Sequence, residues 1–280
     1  MGSLQNLFLI CMKKSFWITI KQFLLFLLLS QGIMALGIIV VFIQAFAAGV
    51  EKNEEALLEF AFESDIVGWS ILLGYVLTIA VFLGKRYVRI SMGRIERSTF
   101  GMMACMAVFI SLGWMFTEVS ILQLAEADKL FADDWEELED FEKMMGGTLG
   151  AISVGILAPI AEEIGFRGVL MGGLLRMRCK PWVAIILSAI VFSFFHGTYL
   201  QLLGTMVFGI ITGWLFWRTR SLLPGMIIHI VNNSTAVILE KFIPDWEPDK
   251  TACVMFIAVC LPILLIGLRW FKLSRYLSAQ

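Results

Sequence analysis

The chain has 280 residues, 59% of them hydrophobic and 16% charged, and its 22 basic and 23 acidic residues leave a formal net charge of -1. Soluble domains carry about 25% charged residues, so an ordinary soluble domain is excluded, as are a disordered chain and a basic nucleic-acid binder. The mean hydropathy of +0.84 comes from repeated apolar runs rather than one core segment.

The first run, Phe23 to Ala48, follows Lys13, Lys14 and Lys21. It is longer than the apolar part of a secretory signal and has no small-residue cleavage site close behind it, which predicts an uncleaved first span. Further runs long enough to cross a bilayer cover Ile66 to Gly84, Gly101 to Ala125, Gly146 to Arg176, Pro181 to Phe195, Tyr199 to Trp217, Leu223 to Leu239 and Ala252 to Phe271. The expected fold is therefore an all-α, polytopic integral membrane protein of about eight transmembrane helices, one membrane domain over residues 1–280 without internal repeats. Between the third and fourth runs, residues 126–143 are acidic and place Phe131, Trp135, Leu138 and Phe141 at helical spacing. That pattern fits an amphipathic helix at the membrane surface and a solvated acidic loop equally. The five cysteines, Cys11, Cys105, Cys179, Cys253 and Cys260, are odd in number and scattered, so neither a disulfide framework nor a thiolate metal site is expected.

The connections alternate in charge. Residues 1–22, 85–97, 176–180, 218–220 and 269–280 hold sixteen of the 22 basic residues and a single acid, Glu96. The other connections, 51–65, 126–143 and 240–250, hold nineteen of the 23 acids. Basic loops remain on the cytoplasmic side, which predicts a cell-membrane protein with both termini in the cytoplasm.

Few ionisable groups remain inside the spans, where each costs a few kcal/mol and calls for a partner or a function. They are Glu118, Glu162, Glu163, Arg167, His196 and His229, the last two being the only histidines. Glu118 stands by itself and reads as structural. Counted from the basic ends at about 1.5 Å per residue, Glu162 lies roughly 21 Å deep, His196 roughly 24 Å, His229 roughly 14 Å and Asn233 roughly 20 Å. Three helices thus bring polar groups to one layer of the membrane. Glu163 and Arg167, four apart, share a face and can neutralise one another. Glu162 points about 100° away, towards a water or a substrate. His229 and Asn233 also share a face, as two donors to one developing oxyanion would, with Asn232 close to it.

Glu162 to Arg167 reads as EExxxR, Phe192 to His196 as FxxxH and His229 to Asn233 as HxxxN. In this order these strings resemble the three motifs of the CPBP (ABI) family of intramembrane proteases, which includes the type II CAAX prenyl endopeptidases. The resemblance covers a core at 146–239. It leaves residues 1–145 as N-terminal spans without a motif and 252–271 as a last span. It implies an endopeptidase that hydrolyses a peptide bond of a membrane-associated substrate, CAAX-type and possibly prenylated, inside the bilayer. Glu162 would activate the water with help from His196, His229 and Asn233 would hold the oxyanion, and Glu163 and Arg167 would support the site, with Asn232 a substitute for Asn233. The resemblance leaves a metal-free glutamate mechanism and a metalloprotease both open. In the second, Glu162, His196 and His229 are possible ligands for zinc or another divalent metal. A non-catalytic scaffold or bacteriocin-immunity-type protein of the same fold is the alternative, and a proton-coupled transporter a more distant one. There is no HExxH, GxSxG or GxGD motif.

Overall fold

The computed structural model describes residues 2–50, 56–57, 60–61, 64–134, 147–243, 246 and 248–274, with backbone only for 2–11. Among these, all regular structure is helical apart from one isolated bridge at Ile95. Helix α1 (Gly2–Leu27) continues through a π-helical turn, Leu28–Gly32, into α2 (Ile33–Ala47). Then come α3 (Asp65–Gly84), α4 (Phe100–Leu124), α5 (Thr148–Arg176), α6 (Pro181–Phe194), α7 (Tyr199–Thr219), α8 (Leu223–Phe242) and α9 (Lys250–Leu273). Within α5, two stretches, Ser153–Leu157 and Glu163–Met171, are wound as π-helix.

The starts of the helices follow local sequence. The Ser64 hydroxyl accepts from Ile66 N–H at 3.4 Å, Thr198 from Gln201 N–H at 3.3 Å, and Asp249 from Ala252 N–H at 2.7 Å. These are side-chain N-caps for α3, α7 and α9. Proline opens α6 and α8 within the first turn, where its missing N–H costs nothing.

Six helices are long and apolar enough to cross a membrane: Met12–Ala47, Asp65–Gly84, Arg97–Leu124, Thr148–Arg176, Tyr199–Thr219 and Lys250–Leu273. Their outer faces carry exposed large apolar residues, among them Leu28, Leu36, Trp69, Leu203, Met255 and Ile266, as bilayer-facing surfaces do. The protein is a multi-pass, all-α membrane protein. The remaining two of the eight expected spans fall short for separate reasons. Helix α6 has 14 residues, about 21 Å against a hydrocarbon core of about 30 Å. Helix α8 has 20 residues but spends them on His229, Asn232, Asn233, Ser234 and Thr235. The first helix is also longer than expected, because residues 12–22 contain no glycine or proline to stop it. Of the acidic segment 126–143, residues 127–130 form one helical turn. Trp135, Leu138 and Phe141 lie outside the described residues, and with them the expected amphipathic helix. Cys105, Cys179, Cys253 and Cys260 are free thiols.

Two packing features position the interior. Helices α4 and α9 form the most extensive pair, and Gly113 lets their backbones meet: a Cβ there would stand 2.9 Å from both the Cys260 carbonyl and the Leu264 nitrogen. In a membrane, where helix association depends on close backbone approach, a small residue at such a point is decisive. The second feature is an aromatic cluster around Phe166 of α5. Its ring lies 5.6 Å from Phe23, 5.5 Å from Phe26 and 5.1 Å from Phe192, all close to edge-on. Gly165, beside it, accommodates Phe26, whose ring would be 2.6 Å from a Cβ. The first helix is thereby keyed to the centre of α5.

Gly113→Ala should lower stability by about 1–3 kcal/mol, read as a reduced melting temperature in micelles, while an unchanged value would mean that α4 and α9 do not touch there. On the acidic face, Lys250 and then Lys129 hold the Glu126 carboxylate down at about 2, at 2.9 and 3.0 Å. A carboxylate with a depressed pKa adds stability that is complete above its ordinary value and is lost as pH falls through the depressed one. The melting-temperature difference between wild type and Glu126→Gln should therefore be small, constant above about pH 5 and absent near pH 2.

Candidate active site

The polar cluster is built around the second π-helical stretch of α5. Glu162 is the last residue before it and keeps 16% of its side chain exposed, whereas Glu163 and Arg167, inside the stretch, have none. Arg167 Nη1 lies 2.9 Å from Glu163 Oε1. The guanidinium also sits 4.3 Å above the Phe192 ring of α6, a cation–π contact that is favourable away from water. The neighbouring helices make room with glycines. A Cβ on Gly209 of α7 would be 3.4 Å from Arg167 Nη2, and one on Gly225 of α8 would be 2.6 Å from Glu163 Oε2. Although the pair is close, its N–H and lone-pair directions are not aligned for a hydrogen bond. Charge and enclosure hold it together.

His229 of α8 enters between the two carboxylates. Its Nε2 is 3.6 Å from Glu162 Oε2 and its Nδ1 is 3.5 Å from Glu163 Oε1. The imidazole is 3% exposed and packs against Phe208 at 4.9 Å and Phe192 at 5.8 Å. Helix α4 fixes this part of α8, since Ser111 Oγ donates to the Ile228 carbonyl at 2.8 Å. At 3.6 Å, Glu162 and His229 are too far apart for a direct hydrogen bond and close enough to share a water.

His196 lies just beyond the end of α6. Its Nδ1 is 2.9 Å from the Phe192 carbonyl, an oxygen that can only accept, so Nδ1 carries the proton and Nε2 has the available lone pair. The ring sits on Phe192 at 4.5 Å and is within electrostatic reach of Glu162, His229 and Arg167. Asn233 lies one turn beyond His229 on the regular helix α8, four residues on as the sequence spacing has it. Its amide donates to the Val154 carbonyl at 3.1 Å, and Ser234 Oγ donates to the Gly155 carbonyl at 3.0 Å. Both carbonyls belong to the first π-helical stretch of α5. One N–H of Asn233 stays available, and the Asn232 carbonyl oxygen is buried without a partner. Glu118 stands apart, against Gly204 of α7 and hydrogen-bonded to Trp114.

Two further residues join the cluster from the N-terminal helices. Tyr75 of α3 hydrogen-bonds to the Gln31 side chain in the π-helical turn between α1 and α2, and it feels the charge of Glu162. Neither carries a formal charge, so a search for ionisable groups in apolar runs passes over them. A lone phenol in the run 66–84, and an amide at the middle of the run 23–48, are the signals that could have found them.

Among the described residues, no three His, Cys, Asp or Glu side chains are grouped so as to hold a metal ion. Glu162, His196 and His229 are therefore not arranged as a zinc site in this conformation.

The helices α5, α6 and α8 thus gather two carboxylates, two imidazoles and an arginine in one region of the bundle. Residues 145–235, less than half of the chain, match the family described as Type II CAAX prenyl endopeptidase Rce1-like. This segment is similar to that family of CAAX proteases, and it contains Glu162, Glu163, Arg167, His196, His229 and Asn233. No curated protein and no solved structure matches the chain.

Removing one charge of the Glu163–Arg167 pair leaves the other buried alone, at a cost of about 3–5 kcal/mol. Arg167→Met should therefore unfold the protein at a much lower temperature, and adding Glu163→Gln should recover part of the loss. Fully additive losses in the double variant would show that the pair is not coupled.

Proposed function

We propose that the protein is an intramembrane endopeptidase that hydrolyses a peptide bond near the C-terminus of a membrane-associated, CAAX-type substrate. The observation that carries this reading is the approach of Glu162 and His229 to 3.6 Å from two different helices, so that one water lying beside the pair can hydrogen-bond to both.

In this reading Glu162 is the general base. It is the least enclosed of the paired carboxylates, and it takes a proton from the water as the water oxygen bonds to the scissile carbonyl carbon. His196, with Nε2 as acceptor, orients that water. The oxyanion that forms is met by the spare amide hydrogen of Asn233 and by Nε2–H of a His229 ring that carries protons on both nitrogens, its Nδ1–H facing the Glu163 carboxylate. When the C–N bond breaks, the protonated Glu162 returns its proton to the leaving amine, which balances the hydrolysis. Glu163 and Arg167 position the site: Glu163 faces His229 Nδ1 at 3.5 Å and so turns Nε2 towards the reacting centre. The phenol of Tyr75, tied to Gln31, lies within electrostatic reach of Glu162. Residues 146–239 form the catalytic core in this scheme. The basic side of the bilayer is the cytoplasmic side, with both termini there, and the membrane is the cell membrane.

Glu162→Gln should abolish cleavage of a prenylated C-terminal peptide in proteoliposomes, a loss of about 10²–10⁴-fold, with the melting temperature preserved. Full turnover in that variant would remove Glu162 from the chemistry. Asn233→Ala should reduce kcat by about 10²-fold or more and Asn232→Ala much less. The reverse order would exchange their roles.

A further inference from the structure

Where α5 and α7 end on the basic side, a cavity of about 280 Å³ lies outside the cluster described above. Its walls are Gly168, Gly172, Leu175 and Arg176 of α5, Phe216 of α7 and Arg220 at the end of α7. Gly172 opens it by leaving bare backbone on this face, whereas a Cβ on Gly168 would point at Val88. The Arg176 guanidinium folds back over that backbone, with Nη1 3.5 Å from where a Cβ on Gly172 would stand.

A neighbouring segment is fastened to the same corner. Arg94 N–H donates to the Thr219 carbonyl at 2.7 Å and Ser221 Oγ to the Ser91 carbonyl at 2.6 Å. These bonds bring Arg94 within electrostatic reach of Arg220. Burial first, and then the Arg94 cation, disfavour the charged form of Arg220. Among the described residues, no carboxylate pairs with Arg176 or Arg220.

The backbone supplies a separate observation. Arg220 ends α7 in the left-handed conformation, φ 56°. Glycine takes that position without strain and a long side chain does not. Backbone strain that persists points to a use for the side chain that causes it. Here the strained residue is one of the cavity's walls.

Two uncompensated guanidiniums beside Leu175 and Phe216, at the level where two spans leave the bilayer, complement a phosphate carried on acyl chains. We propose that this cavity binds the headgroup of an anionic phospholipid, with Arg176 and Arg220 on the phosphate and Leu175 and Phe216 against the lipid's apolar part. The site does not touch the residues assigned to hydrolysis, so it stands or falls independently of the proposed reaction.

Native mass spectrometry of the full chain, released from nanodiscs of equal phosphatidylcholine and phosphatidylglycerol content, reads this directly. Wild type should retain phosphatidylglycerol over phosphatidylcholine by about tenfold. In Arg176→Gln with Arg220→Gly the preference should fall to near unity at an unchanged melting temperature, since the second change relieves the left-handed backbone. Gly172→Leu keeps both charges and fills the cavity, and it should weaken the preference as well; if the double variant does not fold, this variant decides. A wild type without preference, or a preference that survives these variants, overturns the proposal. So does displacement of the lipid by millimolar inorganic phosphate, which would mark a free-anion site, or by a peptide with a free C-terminal carboxylate but not by its amide, which would mark a peptide site.

Discussion

The arrangement of the interior depends on placing the Glu163–Arg167 pair inside the bilayer. Each charge alone would cost a few kcal/mol to insert, and both side chains are fully enclosed. Pairing offsets part of that cost, but the two groups are not aligned for a hydrogen bond, so the rest must come from the surrounding helices. That requirement explains the composition of the faces that meet α5. Gly209 and Gly225 leave volume for the charged groups, Phe192 offers the face of its ring to the guanidinium, and Ser188 takes up the Phe166 carbonyl at 3.0 Å. A larger residue at either glycine would push α7 or α8 away from α5. The positions of His196 and His229 follow from this packing, since α6 and α8 carry them.

The π-helical turns occur at polar contacts. One holds Gln31, which reaches Tyr75; one turns the Val154 and Gly155 carbonyls to Asn233 and Ser234; one contains Glu163 and Arg167. A π turn shifts the main-chain hydrogen bond from the fourth residue to the fifth, so carbonyls become accessible from the side, and such turns concentrate at functional sites. In a bilayer a carbonyl released from the ladder must find another donor. Asn233 and Ser234 are those donors for α5, and in return α5 fixes the register of α8 one turn beyond His229.

Much of this was legible in the chain. The apolar runs gave a helical membrane protein, and the spacing of four between Glu163 and Arg167 gave their ion pair. The same spacing argument turned Glu162 away from Glu163, and Glu162 is indeed the more exposed of the two. It did not foresee that both carboxylates approach His229, because that depends on the ring standing between them and offering a nitrogen to each. The bond from Asn233 to the Val154 carbonyl was not legible either, since it depends on a π turn in α5 that periodicity does not reveal. Tyr75 and Gln31 escaped because their polarity is uncharged and their partners lie on other helices.

Of the two helices that fall short as membrane spans, α8 carries His229 and α6 ends two residues before His196, and α6 shows how an incomplete span is tolerated. It stops after 14 residues, leaving irregular backbone at a depth where unpaired N–H and carbonyl groups are expensive. The end is closed locally. Phe195 and His196 N–H turn back to the Phe192 and Ser193 carbonyls at 3.2 and 3.1 Å, Ser193 Oγ donates to the Leu202 carbonyl, and Thr198 caps α7. The His196 ring also donates to Phe192, at 2.9 Å. That bond does two things at once. It helps satisfy the end of a helix that stops inside the membrane, and by placing the proton on Nδ1 it leaves Nε2 as the acceptor. A longer, more apolar α6 would cross the bilayer more easily, but its last turn would need no such closure, and the imidazole would lose the contact that sets its tautomer.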